Sequence, residues 1–290
     1  MQCVIEAQMT RILSYINRPA PISIRLVYRN SDIHMWNSQG CECVVKCIPL
    51  TALACRPDKF LKISALPRLD AEPFMEVRML QELAKANSPH YLHLYHWVLH
   101  TGYKFRNQCV LERHGLSQKC ILLFLEKMDG NAYEWSKHPR TETEWRVMIF
   151  QTLFAMMKMH KTIGFVHGDA HIGNVLFKRV ETRDACTQYT IKDQTYFIPN
   201  TGIRWCIADF GRSRYIDVNS ENEDHTWADK PVLDVRNFLK SCLKYTQNKD
   251  IQKSISLVLL FLTEYSTRLH CVFSILFEDD FQKQNGRVDA

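Results

Sequence analysis

The hydrophobic pattern of the chain changes from strand-like to helical near Met128, and this change constrains the fold more than any other sequence feature. Up to Glu126, apolar residues tend to alternate, as they do on strands with one buried face. After Met128 they recur every three or four residues, as on helices with one buried face. A chain of 290 residues is long enough for one or two domains. The pattern predicts an α+β protein in two parts, residues 1–127 and 128–290.

The first part is predicted to form a small antiparallel sheet of five strands together with one helix. The helix is expected at Pro73–Ala86, because proline suits the first turn of a helix and the residues after it favour the helical conformation. Short runs of apolar alternation between turns indicate the strands. The five runs are Ile22–Tyr28, Ile33–Trp36, Cys41–Ile48, Tyr91–His100 and Cys120–Glu126.

The second part is predicted to be mainly helical. Thr141 and Glu144 have the spacing of a capping box ahead of a helix at Trp145–Thr162. Gly164 is placed to end that helix. Short strands and loops are expected after it, and helices again from Asp234 onward.

Composition and charge exclude several classes of protein. The excess of 37 Lys and Arg over 31 Asp and Glu is small and spread along the chain, so a nucleic-acid partner is not indicated. The apolar stretches Ile255–Leu262 and Cys271–Phe277 are far shorter than the roughly 20 residues of a membrane span, so they are expected to be buried helices. Met1–Ala20 lacks the layout of a signal peptide, and 11 cysteines without such a signal indicate a reducing compartment. We expect no membrane partner and an intracellular location, in the cytoplasm or the nucleus.

Three of the cysteines lie close together, at Cys41, Cys43 and Cys47. Their spacing is not CxxC, and no Cys/His pair follows at the distance that a zinc finger needs. On a strand the three side chains share one face, because successive side chains alternate. They are therefore predicted to be buried thiols of the sheet rather than zinc ligands.

Two polar segments follow apolar, strand-like runs in the second part. The first is His167–Asn174 (HGDAHIGN), and the second is Asp209-Phe210-Gly211. Asp169 and Asn174 stand five positions apart in one loop, and Asp209 adds a second carboxylate. Carboxylate and amide oxygens are ligands for Mg²⁺, and a carboxylate can orient a hydroxyl for attack on a phosphate. The alternative interpretation is a surface Asp and Asn that cap turns.

Both segments, in this order, resemble the catalytic loop and the DFG segment of the protein-kinase superfamily. The resemblance implies a bilobal kinase fold, with a small antiparallel sheet and one helix C in the N-lobe and a mainly helical C-lobe. It implies that Asp169 orients the acceptor hydroxyl and that Asn174 and Asp209 hold the metal. It also implies that His171 assists the transferring phosphoryl group. ATP and Mg²⁺ are then the expected cofactors.

The first part supplies a further match, Val44-Val45-Lys46-Cys47, which resembles the V-A-I-K strand of the family. The resemblance implies that Lys46 neutralises the α- and β-phosphates of ATP. A lysine within an apolar strand is costly to bury without a carboxylate partner. The segment Glu76-Val77-Arg78-Met79-Leu80 in the predicted helix resembles the helix-C pattern of the family, and this resemblance makes Glu76 the expected partner. Glu82 is the alternative partner, and a solvent-facing Lys46 is the alternative to a buried one.

The segment Leu122–Met128 resembles the strand that leads into the hinge of the family. The resemblance makes Leu125 the gatekeeper and implies that the backbone of Glu126 and Met128 binds the adenine edge. A plain buried strand is compatible with this role. Asp234, predicted to open a helix, resembles the buried Asp that holds the catalytic loop; alternatively it is a carboxylate favoured at a helix N-terminus.

Three departures from the family bear on the class of kinase. The loop has Gly168 where most members have Arg, His171 where most Ser/Thr kinases have Lys, and only 25 positions separate the DFG aspartate from Asp234. These features resemble haspin-like kinases and Ser/Thr protein kinases of large DNA viruses, and also small-molecule kinases of the aminoglycoside and choline kinase type. The segments Gln188–Ile191 and Tyr196–Gly202 resemble the haspin-like hairpin before the DFG segment, which favours the first group.

The resemblance therefore predicts an atypical Ser/Thr protein kinase that transfers the γ-phosphate of ATP to a protein hydroxyl, in a host cell if the chain is viral. A small-molecule phosphotransferase is the alternative enzyme. Arg29–Asp32 stands where the family has a glycine-rich phosphate loop and contains no glycine, so a pseudokinase scaffold is the non-enzymatic alternative. Because the lysine, both aspartates and the asparagine named above are all present, we expect an active enzyme.

Overall fold

The described part of the protein is a mixture of helices and antiparallel sheets, as the sequence predicts. The predicted strand Ile22–Tyr28 and the glycine-free residues Arg29–Ser31 lie outside it. A computed structural model describes residues 32–38, 41–51, 73–101, 116–181, 184–192, 194–216, 230–264, 272–273 and 275–277.

The chain divides into two compact units. The main change of unit lies between Lys127 and Met128, where the hydrophobic pattern of the sequence also changes. Unit one comprises Met1–Asn87, Leu92–Lys127 and Phe210–Arg212. Unit two comprises Ser88–Tyr91, Met128–Asp209 and Ser213–Ala290.

Within its described residues, unit one contains a four-stranded antiparallel sheet, in the order β1-β2-β4-β3, and one helix. Its described elements are β1 (Asp32–Ser38), β2 (Cys41–Thr51), α1 (Pro73–Lys85), β3 (Leu94–His100) and β4 (Leu116–Glu126). The helix and the predicted strands after Asp32 are confirmed, although β3 begins three residues later than predicted and β4 begins four residues earlier. Cys43 and Cys47 are fully buried on one face of β2, as predicted, whereas the side chain of Cys41 lies outside the description.

Unit two contains three small antiparallel sheets and a set of helices. One sheet has the order β10-β7-β5, and the other two are the pairs β11-β6 and β8-β9. The strands are β5 (Gly130–Asn131), β6 (Phe165–Val166), β7 (Val175–Arg179), β8 (Cys186–Ile191), β9 (Gln194–Pro199), β10 (Ile203–Ile207) and β11 (Arg214–Tyr215). The α-helices with defined bounds are α2 (Ala132–Ser136), α3 (Glu142–Lys158), α4 (Lys230–Tyr245) and α5 (Lys249–Glu264).

Helix α3 begins with the predicted capping box. The backbone N–H of Glu144 donates to Oγ1 of Thr141 at 3.2 Å, and the Glu144 carboxylate accepts from the Thr141 N–H at 2.9 Å. The α-helical pattern ends at Lys158 and continues as one π-helical turn at Met159–Ile163. Gly164 ends this turn in the left-handed conformation (φ 74°), which a residue without Cβ adopts at little cost.

Strands β8 and β9 form the predicted hairpin. Tyr189 and Tyr196 face each other across its two strands, and both are buried. Their rings contact Phe150 of α3, with centroids 5.2 and 5.5 Å away. Aromatic packing on α3 therefore holds the hairpin within unit two.

Helix α5 is buried on one face, so the prediction of a buried helix at Ile255–Leu262 is confirmed for that face and wrong for the other. Ile255, Val258 and Leu262 are at most 1% exposed, whereas Leu257 and Leu260 are 53% and 60% exposed. Within the residues described, no helix combines the length and the apolar character that a membrane span requires.

Candidate active site

Lys46 and Glu76 form a buried ion pair within unit one. Strand β2 places Lys46 opposite Leu123 of the central strand β4, and α1 carries Glu76 in its first turn. The Lys46 Nζ donates to both carboxylate oxygens of Glu76, at 2.8 and 2.9 Å. The two side chains are 9% and 4% exposed. The predicted pairing is confirmed, and the alternative partner Glu82 instead contacts a lysine of its own helix at the surface.

The buried position of this pair makes each partner dependent on the other. Removal of an ion from water costs several kcal/mol, and only a close counter-ion with good geometry offsets that cost. The two-oxygen contact provides that geometry for Lys46. Its ammonium is therefore held in one position, as a cation that binds phosphate must be.

The predicted hinge residues lie at the end of β4 and just after it. Leu125 is 4% exposed and Glu126 is the last residue of the strand. The Glu126 backbone N–H donates to the carbonyl of His93 at 2.9 Å. Met128 is half-buried and belongs to unit two.

The loop between β6 and β7 carries the predicted catalytic residues of unit two. The Asn174 side chain donates from Nδ2 to the backbone carbonyl of Asp169 at 3.0 Å. The Asn174 backbone N–H donates to the carbonyl of His171 at 2.9 Å. These two bonds close the loop on itself and fix the backbone positions of the three polar residues relative to one another.

Asp209 lies directly after β10, next to the end of this loop. Strands β10 and β7 pair so that Ile207 faces Val175, and the Ala208 N–H donates to the carbonyl of Asn174 at 2.9 Å. Asp209 itself has a positive φ of 65°. Aspartate tolerates this left-handed conformation better than most residues, at a cost of about 1 kcal/mol, and such conformations cluster at functional sites. Unit two thus brings Asp169, Asn174 and Asp209 together, as the sequence predicts.

His167 links the start of the loop to the end of β10. Its Nε2 bonds the carbonyl of Ala208 at 2.9 Å, and its Nδ1 accepts the N–H of Asp169 at 3.2 Å. A carbonyl can only accept, so the ring is neutral and carries its proton on Nε2. Complete burial lowers the pKa of His167, which keeps the ring in this form although carboxylates lie nearby.

The Asp234 carboxylate accepts hydrogen bonds from the backbone of the first two residues of the loop. Its Oδ2 accepts the backbone N–H of His167 at 2.6 Å, and its Oδ1 accepts that of Gly168 at 2.9 Å. His160, in the π-helical turn, donates to the same carboxylate from Nε2 at 3.0 Å. The bracing role predicted for Asp234 is confirmed by these bonds. The predicted helix start is wrong, however, because α4 begins at Lys230 and Asp234 lies within it.

The backbone of Gly168 explains why the loop has glycine at this position. Its φ is 76°, in the left-handed region where a Cβ costs roughly 1–2 kcal/mol. Glycine therefore lets the loop direct its N–H at Asp234 without strain. An arginine at position 168 would supply a cation, but its Cβ would make this backbone conformation more costly.

A second residue of α4, Ser241, holds the far end of the same loop. Its Oγ accepts the backbone N–H of Ile172 at 3.0 Å and donates to the carbonyl of Phe238 at 2.7 Å. Asp234 and Ser241 stand seven positions apart, which puts both on one face of an α-helix. Helix α4 therefore contacts the loop at two points.

No protein-family model matches the chain, and no curated protein matches it. The interpretation of the site therefore rests on its residues and their geometry.

The residues of unit two fit a magnesium ion by the chemistry of their donor atoms. Asn174 and Asp209 supply an amide oxygen and a carboxylate, and Mg²⁺ is commonly held by one or two protein oxygens together with phosphate oxygens and water. Among the described residues, no group of three or more His, Cys, Asp or Glu side chains forms a metal site of its own. A metal here would therefore take its remaining ligands from water or from bound phosphate oxygens.

The sequence interpretation missed three residues that shape the loop. They are His160 and Ser241, which bond Asp234 and Ile172, and Gly173, which bonds His171. The seven-residue spacing of Asp234 and Ser241 was a usable signal, because it predicts a shared helix face. His160 gave no such signal, since its position depends on the π-helical turn.

Proposed function

We propose that the protein is an ATP- and Mg²⁺-dependent phosphotransferase, and that its acceptor is a serine or threonine hydroxyl of a protein. The observation that carries this proposal is the arrangement in unit two of Asp169, Asn174 and Asp209. The Asn174 side chain donates to the backbone carbonyl of Asp169 at 3.0 Å, and the N–H of Ala208, next to Asp209, donates to the backbone carbonyl of Asn174 at 2.9 Å. These bonds bring together the loop and the strand end that carry the two carboxylates and the amide.

The chemistry follows from these groups. Asp169 accepts a hydrogen bond from the acceptor hydroxyl and orients the hydroxyl oxygen toward the γ-phosphorus. The Asp169 carboxylate then receives the hydroxyl proton. A bond forms between that oxygen and phosphorus, and the bond to the bridging oxygen of ADP breaks. Asn174 and Asp209 would hold Mg²⁺, which neutralises charge on the phosphate oxygens when bound. Half-exposed His171 contributes a hydrogen-bond donor to the transferring group.

Unit one supports the same proposal through the Lys46–Glu76 pair. A fixed, fully paired lysine within a sheet suits the binding of the α- and β-phosphates. The carbonyl of Glu126 and the backbone of Met128 are the groups proposed to bind adenine. Together with the antiparallel sheet and α1, these features support a bilobal protein-kinase fold as the finer description of the protein.

The preference for a protein acceptor rests on a narrower observation. The hairpin β8–β9 directly precedes the strand that leads to Asp209, as in the haspin-like kinases that the sequence resembles. We propose the same class for this chain, and with it action inside a cell, in the cytoplasm or the nucleus. A small-molecule acceptor and a pseudokinase that only binds are the outcomes that the experiment must separate from this one.

The test is transfer of labelled γ-phosphate from ATP and Mg²⁺ by the purified full chain. Casein, histones and the chain itself serve as acceptors, and the variants Asp169→Asn and Asp209→Asn are measured beside the wild type. We expect label in protein, lowered at least about 100-fold by either substitution, because each removes a charge that acts on the reacting groups. Glu134→Gln, an exposed carboxylate of unit two, is the matched control and should keep full activity.

Each other outcome has a definite meaning. Protein label that persists in Asp169→Asn would refute the assigned chemistry. No protein label, together with stabilisation by ATP, would identify a different acceptor, and a panel of hydroxylated small molecules would then be tested. No label and no nucleotide binding would leave a scaffold with the same loop geometry.

A further inference from the structure

The imidazole of His171 and the backbone of Gly173 form one local arrangement within the catalytic loop. His171 has an extended backbone and caps the 3₁₀ turn Ile172–Asn174. The Gly173 N–H donates to Nδ1 of His171 at 3.0 Å. A ring nitrogen that accepts a hydrogen bond carries no proton, so a neutral His171 carries its proton on Nε2. The backbone of Gly173 therefore selects one tautomer of the ring.

The selected tautomer puts an N–H beside the proposed catalytic carboxylate. Nε2 of His171 lies 3.9 Å from Oδ1 of Asp169, which is too far for a hydrogen bond between them. Both side chains are accessible, at 41% and 31% exposure. A phosphoryl oxygen bound next to Asp169 is therefore within reach of the Nε2–H of His171. This N–H makes no hydrogen bond to the Asp169 carboxylate.

Residue 173 must be glycine for the ring to lie where it does. A Cβ at this position would be 2.8 Å from Cε1 and 2.9 Å from Nδ1 of His171, distances that real Cβ atoms do not tolerate. Beyond its chain neighbours, the Cβ would meet no other atom within 4 Å. The φ of Gly173 is not positive, so the backbone alone would accept another residue. A Cβ at residue 173 would therefore displace the imidazole of His171.

We propose that Gly173 is a positioning residue that acts through His171. It leaves room for the ring and fixes its tautomer, so that Nε2–H meets an oxygen of the transferring phosphoryl group. This inference rests on the proposed phosphotransferase function for its substrate, but the Gly173–His171 coupling itself does not. A purely structural turn glycine would instead act on the loop whether or not His171 is present.

A double-mutant cycle separates these two roles. The four proteins are the wild type, His171→Ala, Gly173→Ala and the double variant His171→Ala/Gly173→Ala. For each, kcat and KM for ATP are measured in the phosphate-transfer assay, and the thermal midpoint is measured without nucleotide. The ring tautomer of His171 is read from its two-bond ¹⁵N–¹H correlations in the wild type.

We expect His171→Ala to lower kcat up to about 100-fold with little change in KM, as for loss of one transition-state donor. Gly173→Ala should lower kcat about tenfold or more, because the added methyl displaces the ring. In the His171→Ala background the same substitution should change kcat by less than about twofold, because the two residues act as one unit. The thermal midpoint should follow the same pattern, and the tautomer should be Nε2–H.

Additive effects in the cycle, or an Nδ1–H tautomer, would overturn the proposal. If Gly173→Ala fails to fold but the double variant folds, the coupling is supported; if both fail, Gly173 is a structural glycine and the proposal is wrong. If the wild type transfers no phosphate, the proposed function fails, while the thermal cycle and the tautomer still decide whether Gly173 positions His171.

Discussion

The two units hold their candidate catalytic groups in opposite ways. In unit one, the Lys46 ammonium is held by the Glu76 carboxylate in a buried pair. In unit two, the loop that carries Asp169 is held by many backbone bonds, from Asp234, Ser241 and its own residues. Loss of one partner of a buried ion pair leaves an uncompensated charge, whereas a loop with several anchors loses them one at a time. Unit one is therefore expected to be sensitive to single substitutions and unit two to be tolerant.

The largest effect is expected from breaking the pair of unit one. Lys46→Met leaves a buried carboxylate and should cost about 3–5 kcal/mol of stability, and Glu76→Leu should cost a similar amount. The double variant should regain most of this loss, since no buried charge is left. Urea unfolding at pH 7 measures all three.

The matched control for this pair is Glu82→Gln, which removes an exposed carboxylate from the same helix. It should leave the unfolding midpoint almost unchanged, because exposed pairs contribute little. A double variant no more stable than either single variant would show that the pair is not an isolated unit, and the contrast with unit two would fail.

A second effect tests whether unit two also contains a buried group whose loss alone strongly destabilises it. His90 bonds the carbonyl of Trp205 and the hydroxyl of Tyr189, each at 2.9 Å. Burial lowers its pKa from 6.5 to about 4, with Arg204 and Lys158 adding to the shift. His90 therefore binds a proton more tightly in the unfolded chain than in the folded protein. The contribution of His90 to the free energy of unfolding is fully present above pH 6.5 and is lost as the pH drops toward 4.

The loss should reach about 3 kcal/mol at pH 4, from a shift of about two and a half pKa units. Urea midpoints of the wild type and His90→Leu, measured from pH 7 to 4, test this. The variant should be less stable at pH 7 and should lose less stability on acidification. His138→Gln, an exposed histidine of the same unit, should keep the wild-type pH profile. Equal slopes for the wild type and His90→Leu would exclude His90 as the source.

The third effect probes the stronger of the two anchors on the loop. Asp234→Asn keeps one accepting oxygen but loses the charge and one acceptor, and should cost about 2 kcal/mol. Hydrogen exchange should accelerate at the amides of His167 and Gly168 and stay unchanged in β2. Acceleration spread evenly over unit two would mean that Asp234 supports the whole unit instead of this loop.

The smallest effect tests whether unit two tolerates the loss of one anchor of the loop. Ser241→Ala removes one acceptor from the Ile172 N–H and should cost about 1 kcal/mol, with faster exchange confined to that amide. Ser256→Ala is its control, because this serine also bonds a carbonyl of its own helix but no loop. If Ser241→Ala lowers the free energy of unfolding by more than about 3 kcal/mol, the loop does not tolerate the loss of a single anchor.

Much of the fold was predictable where one residue type answers one physical need. The cost of burying Lys46 in β2 predicted a carboxylate partner, and the resemblance of Glu76–Leu80 to helix C of the family identified it. The capping box and Gly164 predicted both ends of the α3 region, and the hairpin was expected from its resemblance to the haspin-like segment. The contacts of Asp234 were also expected, from the resemblance of its segment.

The remainder depended on backbone details that no pattern records. The start of α4 was set too late because Asp234 looked like a helix-opening residue, whereas the helix starts at Lys230. The π-helical turn that carries His160 has no sequence rule of comparable strength. The need for glycine at Gly173 becomes visible only when the position of the His171 ring is known.

The two contacts of α4 with the loop also set the kind of sequence change that this helix can accept. A helix turns about 100° per residue, so one residue inserted between Asp234 and Ser241 would carry the serine a quarter of the way around the axis. Substitutions at the exposed positions between them, Asn237 and Lys240, would not do this. Over these two turns, the length of the chain is therefore more constrained than its composition, and insertions and deletions should be far less tolerated than replacements.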